Sequence, residues 1–210
     1  MFVKNHQKIL CGAAGILAVA LVMVFAVTAV PAEDKEEKVK LNFSGRAVNM
    51  STEGPSRNTN IDIQVNRWST EAERQALWNI LVEKGQNDLW DALGNEPEAG
   101  WIRLAQGTVR TAPSTTMRYA REFKEGDNWE IILITNRPLT FSEAEAQIKR
   151  STKFSITIIV LQLTKDDKGK WKGNGQMIAG AELTYSEEKN KLEIKNYASE
   201  PIRLQEVTLR

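Results

Sequence analysis

Histidine and cysteine are nearly missing from this sequence: His6 and Cys11 are the only ones in 210 residues, and both fall within the first eleven. Beyond that point there is no material for a His-dependent serine triad, a cysteine nucleophile or a His/Cys zinc site. No disulfide can brace the chain after Cys11, so its stability must come from a packed core. No G-x-S-x-G, Walker or dinucleotide fingerprint occurs. An excess of either charge is lacking too. Of 28 basic and 27 acidic residues, setting aside Lys4 and Lys8 leaves 26 against 27, which argues against nucleic acid and an anionic membrane surface as partners. No cofactor and no metal are expected. The remaining chemistry is that of carboxylates, lysine, tyrosine or an oxygen-bound cation.

What is present begins with "MFVKNHQK", basic and without acids, followed by an uncharged run from Ile9 through Ala32. That pattern is an export signal, with small residues at Val30 and Ala32 before a cut that would leave Glu33 first. The run reaches the roughly 20 residues that span a bilayer, so an uncleaved N-terminal anchor is the alternative. Either way the folded part is expected outside the cytoplasmic membrane, in the periplasm or beyond. Any membrane contact is expected only through residues 1–32. Cys11 lies at the start of the apolar run, preceded by Leu10, and does not fit a lipoprotein attachment site, where the cysteine follows the apolar core. Residues 33–40 read as a charged spacer and 41–210 as a single β-rich domain, roughly the size one core supports.

Alternation places Val39, Leu41 and Phe43 on one strand face and Ile61, Ile63 and Val65 on another. The period then changes. Thr70 and Glu73 form a T-x-x-E capping box, and Leu77, Leu81 and Lys84 share a stripe that Gly85 ends. A second helix, "QNDLWDALG", follows. Seven further segments have strand composition, with "EGDN" and "SEEKN" as hairpin turns, "KDDKGKWKGN" as a longer hairpin loop and "SEAEAQIK" as a short extra helix. "IILI" and "ITIIVLQL" are apolar on both faces, so these strands are expected to be central and covered on both sides. The expected fold is α+β: a mainly antiparallel sheet, barrel-like or folded into a sandwich, with an inserted helical pair and one short extra helix.

Few residues suggest chemistry. Ser186 and Lys189 match S-x-x-K but sit in a hairpin turn without companion motifs. Asp166 and Asp167 miss the calcium-loop spacing and lie among lysines. Six tryptophans are more informative, because aromatic faces beside amides and acids suit sugar binding. Trp78 and Trp129, with apolar neighbours, read as core, whereas Trp68 and Trp171 read as surface. Asp62, Gln64, Asn66 and Trp68 form a candidate binding face, although alternation also predicts a polar side for any half-buried sheet. Residues 99–121 carry Arg103, Arg110, Arg118 and Arg121 and no acid. Arg103, Arg118 and Arg121 are therefore candidates for an anion site. The competing reading pairs them across strands with acids such as Glu122, Glu130 or Glu182.

In "NRWSTEAERQAL", "ITNRPLTF" and "NYASEPIRL" the chain resembles a group of uncharacterised exported bacterial proteins that share R-W-S-T, R-P-hydrophobic and Y-x-S-x-P-hydrophobic blocks. The resemblance spans most of residues 60–207. It implies export and a shared fold, and brings no activity with it. The leading expectation is a non-enzymatic exported binding or structural module whose partner is a protein, a glycan or a small amphiphile. A second is a carrier with a cavity lined by Met177, Ala179, Ala181 and Leu183. A third is a hydrolase with two facing carboxylates, about 5 to 10 Å apart.

Overall fold

A computed structural model describes residues 37–49, 57–105, 114–139, 156–186, 191–197 and 201–210. Strict alternation produces its first hairpin. β1 (Lys38–Asn49) and β2 (Arg57–Arg67) pair antiparallel, with Phe43 opposite Ile63 and Ser44 opposite Asp62. Phe43, Ala47, Ile61, Ile63 and Val65 are buried, so the intervening residues face outward. The sheet begins at Lys38, inside the stretch read as spacer.

The change of period after β2 yields α1 (Glu71–Lys84) and α2 (Gln86–Asn95), joined by Gly85. Both halves of the capping box form: Thr70 Oγ1 accepts from Glu73 N at 3.2 Å and Glu73 Oε2 accepts from Thr70 N at 2.9 Å. Leu77, Leu81, Leu89 and Leu93 are buried. Lys84, expected on the Leu77–Leu81 stripe, is instead exposed. Its ammonium stays hydrated in the last turn, where the helix dipole favours a cation.

β3 (Gly100–Leu104), β4 (Thr115–Met117), β5 (Tyr119–Glu125), β6 (Asn128–Thr135), β7 (Ile156–Lys165), β8 (Trp171–Ser186), β9 (Lys191–Tyr197) and β10 (Ile202–Leu209) complete the sheet, with every pairing antiparallel. Its order is β4-β3-β2-β1-β10-β8-β7-β6-β5, and β9 pairs with the far half of β8. The "TMRYAREF" segment splits at Arg118, so that β4 pairs with β3 while β5 pairs with β6. Since β4 and β5 adjoin in sequence, the two ends of the strand order meet there. Arg118 N donates to Ile134 O at 2.9 Å, and the sheet is a nearly closed barrel. β8 starts at Trp171, inside the segment expected to be loop, which shortens that loop to residues 166–170. The expected helix over 142–149 lies outside the described residues.

Central strands are covered on both faces. Trp129, Ile131, Leu133, Ile159, Leu161 and Met177 join β1, β2, β3 and β10 residues in one interior cluster. Ile132, Ile156, Ile158 and Val160 face the other way and pack against the four helix leucines. Two local features shape this arrangement. Between Ile158↔Ile178 and Ile156↔Ala181, β8 holds one residue more than β7, and Gly180 takes φ +66° in that bulge. Side-chain parity flips there: Met177 belongs to the interior cluster, while Ala181 and Leu183 belong to the cluster beneath the helices. At Gly173 the sheet coils so tightly that an added Cβ would stand 1.9 Å from Gln162 O.

Candidate functional site

The outward residues of β10, β1, β2 and β3 form a polar face, with Asp62 near its centre. Register sets the rows: Arg103, Asp62, Ser44 and Thr208 lie side by side, and Trp101, Gln64 and Asn42 form the next row. Arg103 donates to Asp62 Oδ2 at 2.8 Å, and Arg210 lies 3.8 Å from Asp62 Oδ1. Arg210 Nε donates to Ser44 Oγ at 2.7 Å. Arg46 faces Glu206 at 4.0 Å. Between these groups is an open cleft of about 350 Å³, lined also by Gly45, Asn60, Ile61 and Ala105.

A second bulge builds one wall. β10 holds an extra residue against β8 over Leu204–Val207 and against β1 over Gln205–Thr208, and Glu206 sits in both spans at φ +53°. A non-glycine residue in the left-handed region costs energy of order 1–3 kcal/mol, and such residues gather at ligand sites.

The residues singled out from sequence have separate fates. Asp62, Gln64 and Asn66 do share the polar face, half-exposed, and Gln64 Nε2 donates to Asn66 Oδ1 at 2.6 Å. Trp68 leaves that face. β2 ends at Arg67, the chain turns, and Trp68 is buried in the interior cluster at 7% exposure, so its reading as a surface residue is wrong. Trp171 is half-buried and packs edge-on against Trp129, with centroids 5.1 Å apart and Lys165 Nζ 5.1 Å over its ring. Trp129 is core as expected, whereas Trp78 is half-buried.

The three arginines do not converge. Arg103 joins the cleft. Arg118 donates to Glu96 O at 2.8 Å, capping the C-terminal end of α2. Arg121 pairs with Glu71 at 2.7 Å, tying β5 to the first turn of α1. Arg103 pairs across strands with Asp62, as the competing reading has it, while Arg118 and Arg121 find partners on the inserted helices. Arg110 and Lys189 lie outside the described residues.

Trp101, Arg46, Glu206 and Arg210 are site residues that sequence reasoning missed. Trp101 was legible: in "GWIRL" the buried Ile102 and Leu104 force Trp101 and Arg103 outward, and Arg103 Cζ stacks 5.5 Å from the Trp101 ring. Arg46 follows from the same alternation in β1. Glu206 and Arg210 depend on the bulge and on long-range pairing.

Asp166 organises its hairpin loop instead of holding a cation. Its Oδ1 accepts from Lys168 N and Lys170 N, both at 2.9 Å, and Lys172 Nζ meets Oδ2 at 2.8 Å. Hydrogen bonding from Lys172, then from the Lys170 amide, holds its carboxyl below the ordinary range. Among the described residues no group of three His, Cys, Asp or Glu is placed to hold a metal ion, and no helix is long and apolar enough to cross a membrane.

The R-W-S-T block is a structural joint. Arg67 is buried and donates to both oxygens of the capping-box Glu73, at 2.8 and 3.0 Å. Ser69 exchanges two bonds with Ala120 of β5, at 2.8 and 3.1 Å. These residues fasten the helical pair to the barrel.

Fold and site together define a barrel-like α+β module carrying a charged surface cleft on one wall. No family model, curated protein or solved structure matches the chain.

Proposed function

We propose that this protein is an exported, non-enzymatic binding module of the bacterial envelope that engages its ligand on the polar outer face of β10, β1, β2 and β3. The observation that carries the reading is the cleft itself: four charged side chains on strands, Arg46, Asp62, Arg103 and Glu206, with Arg210 just past the end of β10, gathered beside a half-exposed tryptophan. Strand-borne side chains give a pre-formed site, which lowers the ordering cost of binding. Both acids of the cleft face guanidiniums, an arrangement suited to recognition more than to proton transfer.

The carrier reading has less support. Met177, Ala179, Ala181 and Leu183 are all buried, and across the Gly180 bulge Met177 packs in one cluster and Ala181 and Leu183 in another, so they do not line one space.

Native mass spectrometry of the chain isolated from its host's envelope tests the proposal. Added mass that is lost on denaturation, and lost in Asp62→Ala and Trp101→Ala variants, supports it. Added mass that both variants retain would place the ligand elsewhere and refute the assignment of this face.

A further inference from the structure

Resting on the binding-face reading above, we infer that the cleft recognises the carboxylate of an acidic saccharide, with Arg46 as the anchoring fork. Among the described residues the Arg46 guanidinium meets only Glu206, at 4.0 Å, beyond hydrogen-bond range. Its planar set of donors is thus open for a bidentate partner, the geometry a carboxylate offers. Arg210 is held to Ser44 Oγ at 2.7 Å and Arg103 to Asp62 at 2.8 Å, so both flanking guanidiniums are positioned.

The side chains that line the cleft include three guanidiniums and two carboxylates, so a bound anion has Asp62 and Glu206 as neighbours as well as the arginines.

The neighbouring row argues for sugar. Trp101 lies beside Gln64, and Gln64 beside Asn42, continuing directly from the Arg103–Asp62–Ser44 row. Arg103 stacks 5.5 Å from the Trp101 ring and so links the aromatic surface to the cleft. An indole covers the C–H face of a pyranose while amides bond its hydroxyls. A ring in the Trp101 row adjoins Arg103, and a carboxylate on a ring further along the same saccharide would meet Arg46. Successive rows are about 7 Å apart along the strands, and Arg46, opposite Asn60, is in the row beyond Asp62, so Trp101 and Arg46 stand about 17 Å apart by strand geometry, the reach of a three-residue saccharide.

The test is calorimetric titration of the full chain with a trimeric uronic-acid oligosaccharide, its carboxyl-reduced neutral counterpart, and inorganic phosphate. NMR of the tryptophan indoles and arginine side chains locates the binding. The acidic trimer is expected to bind, to shift Trp101 and Arg46, and to exceed the neutral trimer by about tenfold or more. Arg46→Ala is expected to remove about the same factor, and Arg46→Lys to restore only part of it, because an ammonium lacks the fork. Circular dichroism on both variants establishes that they are folded. Equal binding of the acidic and neutral trimers at Trp101 overturns the carboxylate assignment and leaves the binding face standing. Phosphate binding as tightly as the acidic trimer marks a generic anion site and overturns the saccharide. No binding of either trimer overturns the inference, and the native mass measurement then decides separately whether the face binds anything.

Discussion

Replacing Glu73 by alanine removes three interactions at once. Its carboxylate takes two hydrogen bonds from Arg67 and one from the Thr70 amide. The Arg67 side chain is only 4% exposed and that of Glu73 21%, so the variant takes from a buried guanidinium the carboxylate that accepts two of its hydrogen bonds. Breaking a buried pair from one side costs about 3–5 kcal/mol, and the partial exposure of Glu73 points to the lower end. Loss of half the capping box adds something under about 1 kcal/mol. The expected total of about 3–4 kcal/mol corresponds to a fall in Tm of roughly 6–16 °C for a domain of this size. Thr70→Ala, which removes one cap bond and leaves the ion pair, should cost about 1 kcal/mol. The diagnostic variant is the double change Arg67→Met with Glu73→Ala. It removes the buried charge along with the carboxylate that faced it and should be more stable than Glu73→Ala alone. Thermal unfolding followed by circular dichroism reads all three. A Glu73→Ala cost below about 1 kcal/mol, or a double variant less stable than the single, would refute the claim that this pair fastens the helices to the barrel.

Other expectations follow from the same contacts. Trp68→Ala should destabilise by about 3–5 kcal/mol as a core truncation, while Trp101→Ala should leave stability nearly unchanged and weaken ligand binding; unfolding and titration on both variants check the contrast. Glu71 is held at a pKa of about 2, below its ordinary 4.5, first by hydrogen bonding from Arg74 and further by Arg121. With its folded value below the unfolded one, its contribution is complete above about pH 4.5 and disappears as pH falls towards 2. The stability difference between the native chain and Glu71→Gln, measured by denaturant melts along a pH series, should therefore close over that window. A constant difference would contradict the pairing. Gly173→Ala drives a methyl into Gln162 O and should cost about 2 kcal/mol or more, read as a lower urea midpoint; an unchanged midpoint would mean that the sheet is less tightly coiled there.

Much of this protein is written in local periods. The absence of His and Cys after residue 11 excludes whole classes of chemistry because no arrangement can supply missing side chains. The shift from alternation to helical spacing at Thr70, with its capping box, places the helical pair, since caps and periods act over a few residues. The doubly apolar β6 and β7 announce their two covered faces. Pairing at long range is different, because register is set by contacts between distant segments. Asp62 was legible as outward-facing and Arg103 as a spare charge, but only the β2–β3 register makes them partners 2.8 Å apart. Trp68 looked like the next member of an alternating face until the chain turned at Arg67 and buried it. The bulges at Gly180 and Glu206 decide which faces β8 and β10 present, and a single extra residue in a strand leaves no period to read. Local sequence therefore determined the elements and the excluded chemistry, while the closure of the barrel through Arg118 and the assembly of the cleft belong to the tertiary structure alone, because they join residues that only folding makes neighbours.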